Sequence, residues 1–253
     1  MRLCFIGCEV MVREVAAIAA TAAPVIDLHF LPHGLHNVPD ELRRRVQAAI
    51  DLIERGEDRA HLGGPFGRAA EYECDAILLG YGLCSNGTVG LRSRRFSLVI
   101  PRAHDCITLF LGSKERYEAH FAEHPGTYWF TAGWVERSLP PGPERFASAR
   151  KKYAEAFGEE AAAYLLEVET AWYRRYDRAA YIDWGLPRSA DYRACAKACA
   201  ADLGWEFEEL PGDAGLLCAF LNGEWDEERF LLLRPGEAVA PSFDRRILVA
   251  RAG

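Results

Sequence analysis

Two hydrophobic periods take turns along this chain. Leu3–Gly7 is an apolar run of strand length, Val10–Ala23 has the apolar and small residues of a helix lying against a sheet, and Ile26–Leu31 reads as a second strand. Glu41–Arg55 is strongly helical in period: Leu42, Val46, Ala49, Ile50 and Ile53 form one stripe, and Asp40 is placed to cap the first turn. That stripe leaves most of Arg43-Arg44-Arg45 on the solvated side. Cys74–Leu79 and Phe96–Ile100 are the next strands, separated by a loop that Asn86-Gly87 and Gly90 mark. A helix over Lys114–Glu123 and a strand Thr127–Phe130 follow, and Ser138–Pro143 then breaks regular structure.

Past that break come a long helical stretch, Ala147–Tyr176, interrupted at Gly158, then a strand Ala179–Ile182, a helix Ser189–Leu203 and a strand Trp205–Leu210. Strand, helix, strand and turn thus occur twice, ending once at Leu31-Pro32-His33-Gly34 and once at Leu210-Pro211-Gly212-Asp213. The alternation predicts an α/β fold with doubly wound, mainly parallel sheets. It also predicts two related lobes with a cleft between them: residues 1–137, carrying the Cys/His chemistry, and residues 144–253.

Composition narrows the function. The 253 residues are half apolar and a quarter charged, as in a folded globular protein, and the net charge of -7 disfavours a polyanion-binding surface. Nucleic acid is therefore not an expected partner. The N-terminus has the pattern of a core strand rather than a secretory signal, and no run approaches the roughly 20 apolar residues that span a bilayer. A cytoplasmic protein without a membrane partner is expected, whose eight cysteines serve as core residues, metal ligands or redox thiols rather than as a disulfide framework.

The chemistry concentrates just beyond strand ends. Cys8 follows the first strand, Cys84 the third, and His104 and Cys106 the fourth. In open α/β sheets ligands bind beyond the carboxyl ends of the strands, so residues remote in sequence can meet there. Thiolates with an imidazole suit zinc or iron, and Cys8, Cys84, His104 and Cys106 form the candidate metal set. Two other readings compete: the cysteines as small core hydrophobes, or His104 with a neighbouring thiol as a nucleophilic pair. Asp105 either orients His104 or caps a following turn, and Arg102 could pair with a carboxylate of ligand or protein. Cys195 and Cys199, four apart on an alanine-rich helix, read as packing residues, and His33 and His36 as solvated loop histidines. Tyr128, Trp129, Trp134 and Trp184 read as core.

At Gly80–Leu91 (GYGLCSNGTVGL) and Pro101–Ser113 (PRAHDCITLFLGS), followed by Gly126–Trp134 (GTYWFTAGW), the chain resembles a family of prokaryotic proteins known as domain of unknown function 1638. The resemblance implies an association with corrinoid-dependent methyl-transfer systems and supports Cys84, His104 and Cys106; Cys8 rests on the strand pattern. The expectation is a metal-binding protein that acts on a thiol or small methylated substrate. The alternative is a non-catalytic metal or cofactor carrier serving a methyltransferase or corrinoid protein.

Overall fold

The apolar run at the N-terminus becomes a central strand. In the computed structural model, which describes residues 1–56 and 74–253, Arg2–Cys8 (β1) leads through a 3-10 turn, Glu9–Met11, into Val12–Ala19 (α1) and then Val25–Leu31 (β2). Pro39–Arg55 (α2), Ala76–Gly80 (β3), Ser97–Pro101 (β4) and Ile107–Leu111 (α3) follow. β1 pairs in parallel with β2 on one side and β3 on the other, and β3 pairs in parallel with β4. Flanking on both edges explains why Leu3–Ile6 is an unbroken apolar run: all four are fully buried. Cys4 and Ile6 pack with Leu42, Val46, Ile50 and Ile53 of α2, each burial worth about 1.5–3 kcal/mol for the large aliphatics. Phe5, pointing the other way, lays its ring across Gly7 and Gly80, which are register partners; a Cβ at either glycine would collide with it.

Lys114–Glu123 (α4) starts the next section, which continues through Thr127–Phe130 (β5), Ala132–Arg137 (α5), Pro143–Phe157 (α6), Glu159–Thr170 (α7), Arg178–Asp183 (β6), Ser189–Leu203 (α8) and Glu206–Pro211 (β7). Its three strands form a parallel sheet in the order β5-β6-β7. Phe130, Tyr173, Tyr181, Tyr192 and Trp205 are buried in its core, with Tyr128 and Trp134 packed against them. Of the four aromatics expected in the core, Tyr128 and Trp134 join it, whereas Trp129 is half-buried against Tyr117 and His120, and Trp184 is half-buried beside Gly212.

The chain then returns to the first sheet. After Gly215–Asn222 (α9), Phe230–Leu233 (β8) pairs antiparallel with β4, and Glu237–Pro241 (β9) and Leu248–Ala252 (β10) form a hairpin. The first sheet therefore runs β2-β1-β3-β4-β8. Two compact units result, Met1–Lys114 with Asp213–Gly253, and Glu115–Gly212. The boundary expected at Ser138–Pro143 lies inside the second unit, between α5 and α6. The division into residues 1–137 and 144–253 fails because β8 pairs with a strand more than a hundred residues earlier, which no local pattern reveals.

Smaller expectations also change. Asp40 is not the cap of α2: Val38 holds that position with no side-chain bond, Pro39 supplies the preset first turn, and Asp40 pairs with Arg43 at 2.7 Å. All eight cysteines are free thiols, and no helix among the described residues is long and apolar enough to cross a membrane.

Candidate functional site

The strand order fixes where a site belongs. From β1 the chain steps outward to β2, then crosses back to β3 and proceeds the other way to β4, so the topology switches direction between β1 and β3. In parallel sheets the loops beyond such a switch point diverge and leave a crevice at the carboxyl ends. β1 ends there in Cys8, β3 continues into Tyr81–Gly90, and β4 into Arg102–Cys106.

The two motif loops run on as a pair beyond their strands. Leu83 N–H donates to Ala103 O and Cys84 N–H to His104 O, both at 2.8 Å. Gly82 is required by that approach, since a Cβ there would lie 2.5 Å from Ala103 O and 3.0 Å from Asp105 N. Cys84, Ser85 and Asn86 all hold positive φ (46°, 57° and 65°). Such backbone costs about 1–2 kcal/mol for each non-glycine residue. The turn is clamped from both sides. Thr88, fully buried, donates its hydroxyl to Gly82 O at 3.0 Å, and Arg43 reaches from α2 to Val89 O at 2.6 Å and Asn86 O at 3.0 Å. Arg43 is thus a positioning residue; Arg44 and Arg45, paired with Glu41, fit the solvated reading.

After β4, Asp105 Oδ1 accepts from Ile107 N–H at 2.9 Å and so caps the turn into α3. Among the described residues, Arg102 meets no carboxylate at hydrogen-bond distance. Its guanidinium donates to the carbonyls of Glu227 (2.8 Å), Arg246 (3.1 Å) and Leu248, which ties this loop to the C-terminal strands.

Cys8, Cys84 and Cys106 feel one another. Burial pushes Cys8 up to about 11, with the Glu9 carboxylate adding to it, and Cys84 up to about 12, with Asp105 and Cys8 adding. Cys106 is raised well above the ordinary thiol value by burial and then by Asp105, Cys8 and Cys84. Tyr81 stands among them. Its phenol is raised by burial and by the same three cysteines and Glu9, and its hydroxyl is buried without a hydrogen-bond partner among the described residues. Shifts in this direction favour the protonated thiols, whereas the nucleophile of a Cys/His pair is activated by a lowered thiol pKa. His104 is exposed; its carbonyl, not its imidazole, holds Cys84 N–H.

Histidines read as solvated loop residues also reach this region. His33 donates its N–H to Glu9 Oε1 at 3.0 Å and sets Nδ1 3.3 Å from the same oxygen. His36 is exposed to solvent on one side, and desolvation of its ring lowers its pKa against an upward pull from Asp105. The adjacency of β1 and β2 puts Glu9 beside His33 and was the missing signal, because Cys8 and Leu31 are register partners.

The donor set suits a soft metal by chemistry, with three thiols beside imidazole and carboxylate groups. Among the described residues, however, no group of three or more His, Cys, Asp or Glu side chains is arranged to hold a metal ion as it stands. The pair Cys195 and Cys199 lies apart from this, on α8 of the second unit, with the two thiols hydrogen-bonded to each other.

No curated protein and no solved structure matches the chain. The family model described as protein of unknown function (DUF1638) matches residues 30–221, a span that contains Cys84, His104 and Cys106 while Cys8 precedes it. With about three quarters of its length in that match, the chain belongs to the DUF1638 family.

Proposed function

We propose a metal-binding protein whose centre uses Cys8, Cys84 and Cys106, with zinc or iron as the resident ion and His104 as the donor that could close its fourth position. One observation supports the reading: the parallel strands β1, β3 and β4 lead into the half-buried Cys8, the buried Cys84 and the half-buried Cys106, and each of these thiols raises the pKa of another or of Tyr81. Mutually repelling thiolates make a cation favourable at their centre, and binding it would release their protons. When bound, a divalent ion would supply Lewis acidity and hold thiolates at neutral pH.

The chain's own residues would divide the remaining work. Arg43, Thr88 and Gly82 hold the strained Cys84 turn against the β4 loop, and Asp105 fixes the turn that carries Cys106. The exposure of His104 favours a centre whose fourth position is open, and an open position suits action on a thiol or small methylated substrate. With His104 turned in, the closed four-donor form suits a non-catalytic carrier for a corrinoid-dependent methyltransferase, and metal content alone would not separate the two. The free thiols suit a reducing cytoplasm. The same reading takes the first sheet as doubly wound, supported by α2 against Cys4 and Ile6 and by Phe220 of α9 against Phe5, ring centroids 6.3 Å apart.

The test is metal analysis of protein purified without nickel resin, repeated on Cys84→Ser and Cys106→Ser. About one ion per chain in the parent, lost in both variants, is expected for a single centre. A metal-free parent, or full occupancy in both variants, would refute the proposal.

A further inference from the structure

Two thiols of the second unit share one face of one helix. Cys195 and Cys199 lie four apart on α8, where side chains at that spacing are neighbours, and the Cys199 thiol donates a hydrogen bond to the Cys195 sulfur. Cys199 is 6% exposed and packs with Phe130, Tyr173, Tyr192 and Trp205, whereas Cys195 is half-buried against the same cluster and reachable from solvent. Thiols among aromatics are ordinary packing. The phenol beside them is not. Tyr173 is 5% exposed, and its hydroxyl is buried without a hydrogen-bond partner among the described residues. Raised chiefly by burial, the phenols of Tyr173 and Tyr128 are raised further by Cys199, which sets both near the sulfur pair. A buried hydroxyl without a partner calls for a group that completes it, and an ion held by thiolates is such a group.

Spacing decides what the two sulfurs can hold. A disulfide needs Cβ atoms about 3.5–4.5 Å apart, and residues four apart on a helix have theirs about 5–6 Å apart. Joining the sulfurs directly would therefore distort a turn of α8. An ion between them removes the conflict: two collinear metal–thiolate bonds of about 2.3 Å hold the sulfurs about 4.6 Å apart, a span that the helical spacing accommodates. The donor count then selects the ion. Among the described residues, no third His, Cys, Asp or Glu joins the pair to form a metal-holding group. Zinc takes four ligands in structural sites and three from the protein in catalytic ones, so two thiolates fall short for it. Cu(I) is a soft ion that thiolates select, and two of them satisfy it.

We propose that Cys195 and Cys199 chelate one soft two-coordinate cation of the Cu(I) class between their sulfurs, with the Tyr173 hydroxyl donating to a bound thiolate. Entry is past the half-buried Cys195. Binding displaces the Cys199 proton that bridges the two sulfurs and leaves a bis-thiolate. The aromatic cluster around Cys199 keeps water from the inner side of the ion. This site shares no residue with Cys8, Cys84 and Cys106, and its two donors give it a different preference among metals.

Anaerobic titration of the full chain with Cu(I), in competition with bicinchoninate, tests this. The parent should hold one ion more than Cys195→Ser or Cys199→Ser, and the double variant should lose that same single ion, because the two sulfurs share it. Serine is close to cysteine in size, and far-ultraviolet circular dichroism checks that α8 remains folded in each variant. Tyr173→Phe should keep the ion but surrender it to bicinchoninate more readily. Alkylation supplies a second readout on the parent chain itself: Cu(I) should shield Cys195 from iodoacetamide, zinc should not, and the shielding should vanish in Cys199→Ser. A parent that takes up no Cu(I), a stoichiometry unchanged in either single variant, two ions lost in the double variant, or zinc shielding Cys195 as well as Cu(I) does would overturn the inference. A Tyr173→Phe chain with the parent's affinity would remove the phenol from the site.

Discussion

Replacing Gly82 by alanine should unlatch the two loops that carry Cys84 and Cys106. The new Cβ would sit 2.5 Å from Ala103 O, against about 3.4 Å for ordinary contact, so the segments must separate by about 0.9 Å. The obstacles are backbone atoms, Ala103 O and C and Asp105 N, which cannot swing aside as a flexible side chain can. Separation by that amount would stretch Leu83 N–Ala103 O and Cys84 N–His104 O from 2.8 Å to about 3.7 Å, beyond hydrogen-bonding range. Two lost bonds at about 0.5–1.5 kcal/mol each, with strain from overpacking added, give a destabilisation of about 2–4 kcal/mol. Gly236→Ala is the control: φ is +91° there but nothing lies within 4 Å of a Cβ, so only the backbone cost of about 1–2 kcal/mol applies. Urea denaturation of both variants measures the difference. A Gly82→Ala protein as stable as the parent, or less affected than Gly236→Ala, would refute the latch.

Three further outcomes are expected. Gly80→Ala should destabilise through collision with the Phe5 ring, and Phe5→Leu in the same chain should recover part of that loss; additive effects in the double-mutant cycle would contradict the packing described. Cys195, drawn down to about 7 by the hydrogen bond from Cys199 and half-exposed, should alkylate first among the eight thiols, and Cys199→Ala should move its midpoint up toward 9.0; a profile unchanged by that substitution would be wrong for this account. His36, held by desolvation below its ordinary 6.5, contributes stability that is complete above that value and is lost as pH falls through the lower folded value, so stability should decline on acidification and His36→Gln should flatten that decline; equal slopes for variant and parent would exclude the contribution.

What could be read along the chain was whatever local periodicity encodes. The α2 stripe of Leu42, Val46, Ile50 and Ile53 is buried as its spacing predicts, and α4, α8 and β5 hold their expected limits. Short or capped elements were less visible: α5 begins at Thr131, whose hydroxyl accepts from Trp134 N–H, and Gly133 disguises the helix. β8 and the β9–β10 hairpin gave no alternating pattern strong enough to name, and their placement depends on β4 being available to pair. The site divides in the same way. Cysteines just past apolar runs are legible as strand-end residues. Arg43 pinning Asn86 and Val89, and His33 meeting Glu9, depend on which strands and helices are neighbours, and single-chain periodicity does not specify neighbours.

The most direct test of a shared centre is cobalt substitution, read by near-ultraviolet sulfur-to-cobalt charge-transfer absorption in the parent and in Cys8→Ser, Cys84→Ser and Cys106→Ser. If the three strand ends meet at one ion, the parent shows the band at one equivalent and each single substitution lowers it by about one third or abolishes it, since each removes one of three thiolates. Absence of the band in the parent, or a band that survives undiminished in the Cys84→Ser and Cys106→Ser proteins, would contradict the account.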